Sequence, residues 1–157
     1  MRLTARWIRL DTQGDAALRA AGAAFALAQS PRAAPAVLWA QAEEGRIACA
    51  LVAPLKFAPG RARRWPAWAL APLIASYRLF GLRAYLEVDA ICLSGDRIAA
   101  SEARTVGACA VVVSRFLPVE RVFMEVLRGR IEAQLGWQFD NSWPSDRERA
   151  AISGELV

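Results

Sequence analysis

Tyr85 to Leu117 reads YLEVDAICLSGDRIAASEARTVGACAVVVSRFL. Short apolar runs rich in Val and Ala are separated by the turn signals Ser94-Gly95-Asp96 and Gly107, which is the pattern of strands rather than helix. Arg83 to Leu93 is expected to form one long strand. Ser94-Gly95-Asp96 is expected to turn tightly, and Arg97 to Glu102 to return as its partner. After Gly107, the apolar run Ala108 to Arg115 reads as a further strand.

The flanks extend this β-rich pattern. Upstream, Ala36 to Gln41 and Arg46 to Leu55 read as two strands joined at Glu43-Glu44-Gly45. Pro54, Pro59 and Gly60 open an Arg-rich loop, and Pro66 suits the first turn of a helix ending near Phe80, with Gly81 as its stop. At the start, Leu3 to Leu10 reads as a strand. Asp15 then caps a helix whose apolar stripe is Leu18, Ala21, Gly22, Phe25 and Ala28. Downstream, Pro118 opens a helix to about Leu135, with Val122, Val126 and Leu127 inward and Gly136 ending it. In GWQFDNSW, Trp137, Phe139 and Trp143 are expected to pack the C-terminal tail onto the domain. Pro144 starts a last short helix. Because hairpins supply most of the sheet, the expected fold class is α+β: a mixed, largely antiparallel sheet with helices mainly on one face. The expected organisation is a single domain, residues 1–157.

Composition narrows the chemistry. The chain has 157 residues, 55% hydrophobic, with a formal net charge of +5 and no histidine. Ser-His-Asp and Cys-His catalysis are therefore excluded, as are histidine-bound zinc and an imidazole pH switch. Of the 20 basic residues, only Lys56 is a lysine. Three cysteines, Cys49, Cys92 and Cys109, each lie in an apolar run and read as buried free thiols. The opening residues contain no continuous apolar segment, and Pro66 to Phe80 is short, broken by Pro72 and Arg78. A cytoplasmic protein that neither enters a membrane nor binds nucleic acid is expected. The arginines are scattered, and no recognition helix or aromatic strand motif accompanies them.

Tyr85 to Leu117 resembles the biotin/lipoate protein ligase family. Asp89-Ala90-Ile91 occupies the place of that family's Asn-Asp-Ile. Gly95-Asp96-Arg97-Ile98-Ala99-Ala100-Ser101 occupies that of Gly-Arg-Lys-Ile-Ser-Gly-Ser, and Val113-Ser114-Arg115-Phe116-Leu117 that of His-Gly-Thr-Leu-Leu. The resemblance implies a site that binds a carboxylated acyl ligand or its adenylate. In it Arg97 neutralises carboxylate or phosphate, Asp89 positions a metal or ribose, Gly95 permits the turn, and Ser101 lies alongside. Gly60-Arg61-Ala62-Arg63-Arg64-Trp65 is similar to the biotin branch's Arg-rich loop, making Arg61 and Arg64 further ligand contacts. ATP with Mg²⁺, and lipoate or biotin, are implied as cofactor and substrate where the family's activity is retained. An acyl-carrier or other protein is the implied partner.

The departures bear on activity. The family's lysine is Arg97, which keeps the charge but not a compact ammonium. Its Asn-Asp pair is Asp89-Ala90, a glycine near the ligand is Ala100, and its Gly-rich phosphate segment has no counterpart. The implied protein is a divergent member with a degenerate site. The alternative is a non-catalytic protein-interaction module that keeps the fold. No catalytic residue stands out. Arg97 also reads as a turn-flanking surface charge, and Arg61, Arg63 and Arg64 as a solvated loop. The resemblance also makes Cys92 and Cys109 candidates for an acyl-carrying thiolate, with Arg97 across the hairpin from the strand of Cys92 to lower its pKa. Glu87 and Asp89, two residues apart, are expected on one strand face, either turned to solvent or holding Mg²⁺.

Overall fold

A computed structural model describes residues 3–10, 20–21, 35–140, 146 and 150. The expected helix at about 15–29, apart from Ala20 and Ala21, and the last short helix after Pro144, apart from Asp146 and Ala150, lie outside the described residues. Eight strands form one sheet: β1 (Leu3–Arg9), β2 (Ala36–Gln41), β3 (Ile47–Pro54), β4 (Tyr85–Glu87), β5 (Ala90–Leu93), β6 (Asp96–Val106), β7 (Cys109–Phe116) and β8 (Trp137–Asp140). Between the strands run α1 (Trp65–Leu79) and α2 (Phe123–Leu135), the two α-helices described along their whole length. Across the sheet the order is β4-β5-β6-β7-β3-β2-β1-β8. Only β1 pairs parallel, with β2 on one side and β8 on the other; the remaining pairs are antiparallel. The fold class is the expected one.

Both helices cover one face of the sheet. Leu70, Leu73 and Tyr77 of α1 and Phe123, Leu127 and Ile131 of α2 pack with Ala5, Val37, Cys49, Leu51, Ile91 and Phe116 of the strands. Burial of that apolar surface is the main force holding the layers together. Tyr77 lies 4.9 Å from Phe123, ring to ring, and its hydroxyl donates to the Leu117 carbonyl at 2.6 Å, fastening α1 to the end of β7. On the opposite face, Ile8, Leu38, Ala48, Ala50, Val52 and Val111 form a second apolar cluster, joined by helical Ala20.

Four expectations need correction. Arg83 to Leu93 is not one strand: the chain reverses at Val88-Asp89, so β4 and β5 form a hairpin with Glu87 opposite Ala90. Val88 adopts φ +57°, a conformation that β-branched residues rarely take, and that is why no turn residue announces this reversal. The helix after Pro118 starts at Phe123, five residues late, and Val122 is exposed instead of inward. Gly136 does end it, in the left-handed conformation a helix stop favours. The GWQFD segment does more than pack: it forms β8, with Trp137 and Phe139 buried. Trp143 lies outside the described residues. Among the described residues, no helix is long and apolar enough to cross a membrane.

Candidate ligand face

Register decides where Arg97 points. Ile91 pairs with Ala99, but its neighbour Cys92 pairs with Arg97, so Ile98 is an extra residue in β6. A bulge of this kind shifts the side chains that follow it to the other face. Ile91, Ala99 and Ile98 all pack into the core beneath the helices. Arg97 therefore leaves the sheet with Cys92, on the face without α1 and α2. Gly95 makes the turn that precedes it, at φ +85° beside Ser94 at +52°, two consecutive left-handed residues that a two-residue hairpin requires.

On that face Arg97 has neighbours that the sequence reading did not weigh. Arg115 of β7 pairs with Ala100, Val113 with Glu102 and Val111 with Arg104. Ala90 pairs with Ala100 on the other side. The result is an open stretch of β5–β7 with a floor of Ala90, Ala100 and Val113, and with exposed Arg97, Arg115, Glu102 and Arg104 standing along it. Small side chains let a ligand approach the sheet closely, and guanidinium groups hold carboxylate or phosphate with paired hydrogen bonds.

The other expected contacts are dispersed. Ser101 faces the core: its hydroxyl lies 2.5 Å from that of Ser114, and both are buried. Asp89 sits in the β4–β5 turn, exposed, and its carbonyl accepts from the Ser101 N–H at 2.9 Å. Gly95 occupies the turn at the far end of β5 from Asp89. Arg61 and Arg64 are exposed on the loop before α1. That loop is placed by Trp65, which packs against Ala110 and Val112 on the helix-covered face and donates Nε1 to the Pro59 carbonyl at 2.9 Å. Arg97 and the Arg61–Arg64 loop thus belong to different faces.

The carboxylate and thiol readings change as well. With Asp89 in a turn, Glu87 and Asp89 do not share a strand face, and no group of three His, Cys, Asp or Glu among the described residues could hold a metal ion. Glu87 instead accepts a hydrogen bond from the Cys92 thiol at 3.4 Å. Burial raises the Cys92 pKa, and the hydrogen bond and charge of Glu87 raise it further; the opposing pull of Arg97 is smaller. The thiol stays protonated, which is the reverse of the activation a nucleophile needs. Cys49 and Cys109 are also buried and free, and burial pushes Cys49 up to about 12. Lys56, in the short turn that follows β3, lies exposed with its ammonium over the Phe57 ring at 4.9 Å.

A separate cavity of about 590 Å³ opens between the ends of β1–β3 and the start of α2, with Arg9, Trp39, Gln41, Arg121 and Met124 in its wall. It adjoins the helix-covered face, away from Arg97.

No protein-family model matches the sequence, and no curated protein matches it. Solved structures do match the fold. A bipartite lipoate protein ligase from Thermoplasma acidophilum, described with its E2 lipoyl domain, superposes with a TM-score of 0.80 at 10% identity, covering 97% of this chain and 91% of that one. A lipoate-protein ligase A bound with ATP gives 0.77 at 9% identity, covering 97% and 94%. The biotin protein ligase from Aquifex aeolicus gives 0.53 at 11% identity, covering 99% and 68%. The α+β fold is that of the lipoate and biotin protein ligases.

Proposed function

We propose that the chain uses this ligase-like fold to bind a carboxylated acyl ligand, or the corresponding acyl-adenylate, on the open face of β5–β7. The observation that carries this reading is the bulge at Ile98, which turns Arg97 onto the same exposed, small-residue face as Arg115 and Arg104. Arg97 and Arg115 would take the carboxylate or phosphate, and the alanine floor would accept the acyl chain or the base. ATP·Mg²⁺ is the nucleotide a working ligase of this fold implies. On this face the described residues carry no lysine, and burial with Glu87 keeps the Cys92 thiol protonated. The reading of a degenerate site, in which binding persists and ligation is weak or lost, is supported by Arg97, Asp89-Ala90 and Ala100 standing where the family has its lysine, its Asn-Asp pair and a glycine. A carrier protein is the partner this reading implies, by analogy with the Thermoplasma ligase and its E2 lipoyl domain. A second reading, a non-catalytic interaction module, is favoured by the exposed apolar residues of β4.

The test is isothermal titration of the full chain with a non-hydrolysable acyl-adenylate analogue, beside ATP·Mg²⁺, lipoate, octanoate and biotin. The expected result is binding of the analogue that Arg97→Ala weakens. A folded sample that binds none of them would overturn the ligand reading and leave the interaction module.

A further inference from the structure

From Arg46 to Leu86 the chain carries seven basic residues and no acidic one. Four of the seven, Lys56, Arg61, Arg63 and Arg64, lie in the ten residues between β3 and α1, and all four are exposed. None forms an ion pair with a described residue. Two large apolar side chains of the same loop, Leu55 and Phe57, stand among them, 40% and 39% exposed. We infer that this loop docks the protein on the surface of a membrane that carries anionic phospholipid.

Local structure gathers these side chains at one end of the sheet. The Leu55 N–H donates to the Ala108 carbonyl at 2.9 Å, holding the start of the loop to the β6–β7 turn. Ala58 and Trp65 pack with Ala110 and Val112, and Trp65 Nε1 ties back to the Pro59 carbonyl. Between those anchors a tight turn, closed by the Arg64 N–H on the Arg61 carbonyl at 2.9 Å, carries the three arginines. A short loop whose ends are fastened together presents its remaining side chains to solvent as one unit.

Two observations select the occupant. The first is charge. The first turn of α1 has no acidic residue and no side-chain cap, so the positive end of its dipole meets Arg63 and Arg64 with nothing of opposite sign. Lipid phosphates supply that sign across a whole surface, which an open basic loop with no cleft of its own can use. The second is the apolar component. Leu55 and Phe57 belong to none of the apolar clusters of the fold. The first turns of α1 behind them add no charge, and Ala67 and Ala71 share an outward side there. A nucleic acid or an acidic protein engages the arginines through charge alone, whereas the boundary between headgroups and acyl chains takes the cations and the two apolar side chains together.

Docking of this kind needs no segment that crosses the bilayer. It is independent of the acyl-ligand reading, because the loop and Arg97 belong to different faces. Co-sedimentation of the full chain with lipid vesicles tests it, with circular dichroism confirming that each variant is folded. Vesicles of phosphatidylcholine with phosphatidylglycerol are expected to retain the protein at low salt and to release it as salt rises, and pure phosphatidylcholine should not retain it. Replacing Arg61, Arg63 and Arg64 together by Ser should weaken partitioning about fivefold for each charge removed. Replacing the same three by Lys should preserve it, because a surface potential reads charge and not the guanidinium fork. Leu55→Ser with Phe57→Ser keeps every charge and should still weaken retention. A protein that the anionic vesicles do not retain, or retention unchanged by either set of serine substitutions, overturns the inference. Capture by polyuridylate or polyglutamate in place of the vesicles also overturns it, and assigns the loop to a nucleic acid or an acidic protein.

Discussion

Arg97 and Ser101 are four residues apart on β6, and their side chains leave opposite faces of the sheet. Ser101 turns into the core to meet Ser114, whereas Arg97 turns out beside Cys92. In an unbroken strand, residues separated by four share a face. The extra residue at Ile98 reverses that rule and assigns the cation to the open side. The candidate ligand face depends on this one irregularity.

Binding on that face predicts a graded loss. Arg97→Ala and Arg115→Ala each remove a charge-assisted contact, worth roughly 1.5–3 kcal/mol, or about ten- to a hundredfold in affinity. Arg61→Ala, on the other face, should leave affinity unchanged. Titration of the three variants with the acyl-adenylate analogue checks this; equal losses from all three would show that the effect is general charge, not a site.

The Ser101–Ser114 pair predicts non-additive stability changes. Each hydroxyl is buried and has the other as its partner. Ser114→Ala leaves the Ser101 hydroxyl without that partner and should cost about 1–3 kcal/mol. Adding Ser101→Ala removes the stranded group, so the double variant should cost less than the two single costs combined. Urea unfolding of the four proteins measures the coupling.

The turn at Val88 predicts a stabilising substitution. A β-branched residue at φ +57° is strained, and its side chain is almost wholly in solvent. Val88→Gly or Val88→Asn should raise stability by about 1 kcal/mol, because both types enter this region at low cost. A melting temperature unchanged or lowered in both would show that Val88 makes a compensating contact.

Much of this architecture is legible in the sequence. Strands β1, β2, β3 and β7 and helix α1 follow from alternation, Pro66 and the glycine stops, because those signals are local. The β4–β5 reversal is hidden because Val-Asp is not a turn dipeptide; tertiary pairing imposes it. The bulge has no local signature at all, and without it Arg97 can be picked out while its face cannot. Arg104 and Arg115 are missed for the same reason, since their alignment with Arg97 exists only once β6 and β7 are in register. Strand β8 is four residues long and is stabilised by a partner from the other end of the chain, which no local window can contain.

Burial of the thiols predicts a pH dependence. Cys49, Cys92 and Cys109 all have raised pKa values in the folded protein, Cys49 reaching about 12. The unfolded chain ionises first, from its ordinary value near 9, so it binds fewer protons than the folded chain above that pH. The stabilising contribution is complete below about pH 9 and is lost as pH rises towards 12, at up to about 1.4 kcal/mol per pH unit for each thiol. Denaturant unfolding between pH 8 and pH 10.5 should show this decline, and Cys49→Ala should make it shallower. A flat profile would place the thiols in water.

The pairing of β8 with β1 has a consequence for folding. Leu3 stands in register with Trp137 and donates its N–H to the Gly136 carbonyl at 3.2 Å, so β1 waits for β8, far along the chain, before its outer side is covered. Until then the folding chain carries an open strand edge beside an unfilled aromatic site for Trp137 and Phe139. Loop closure over so long a separation is slow. Completion of the sheet is therefore a late step, and the chain has to be kept from its neighbours longer than one that closes its sheet with local hairpins.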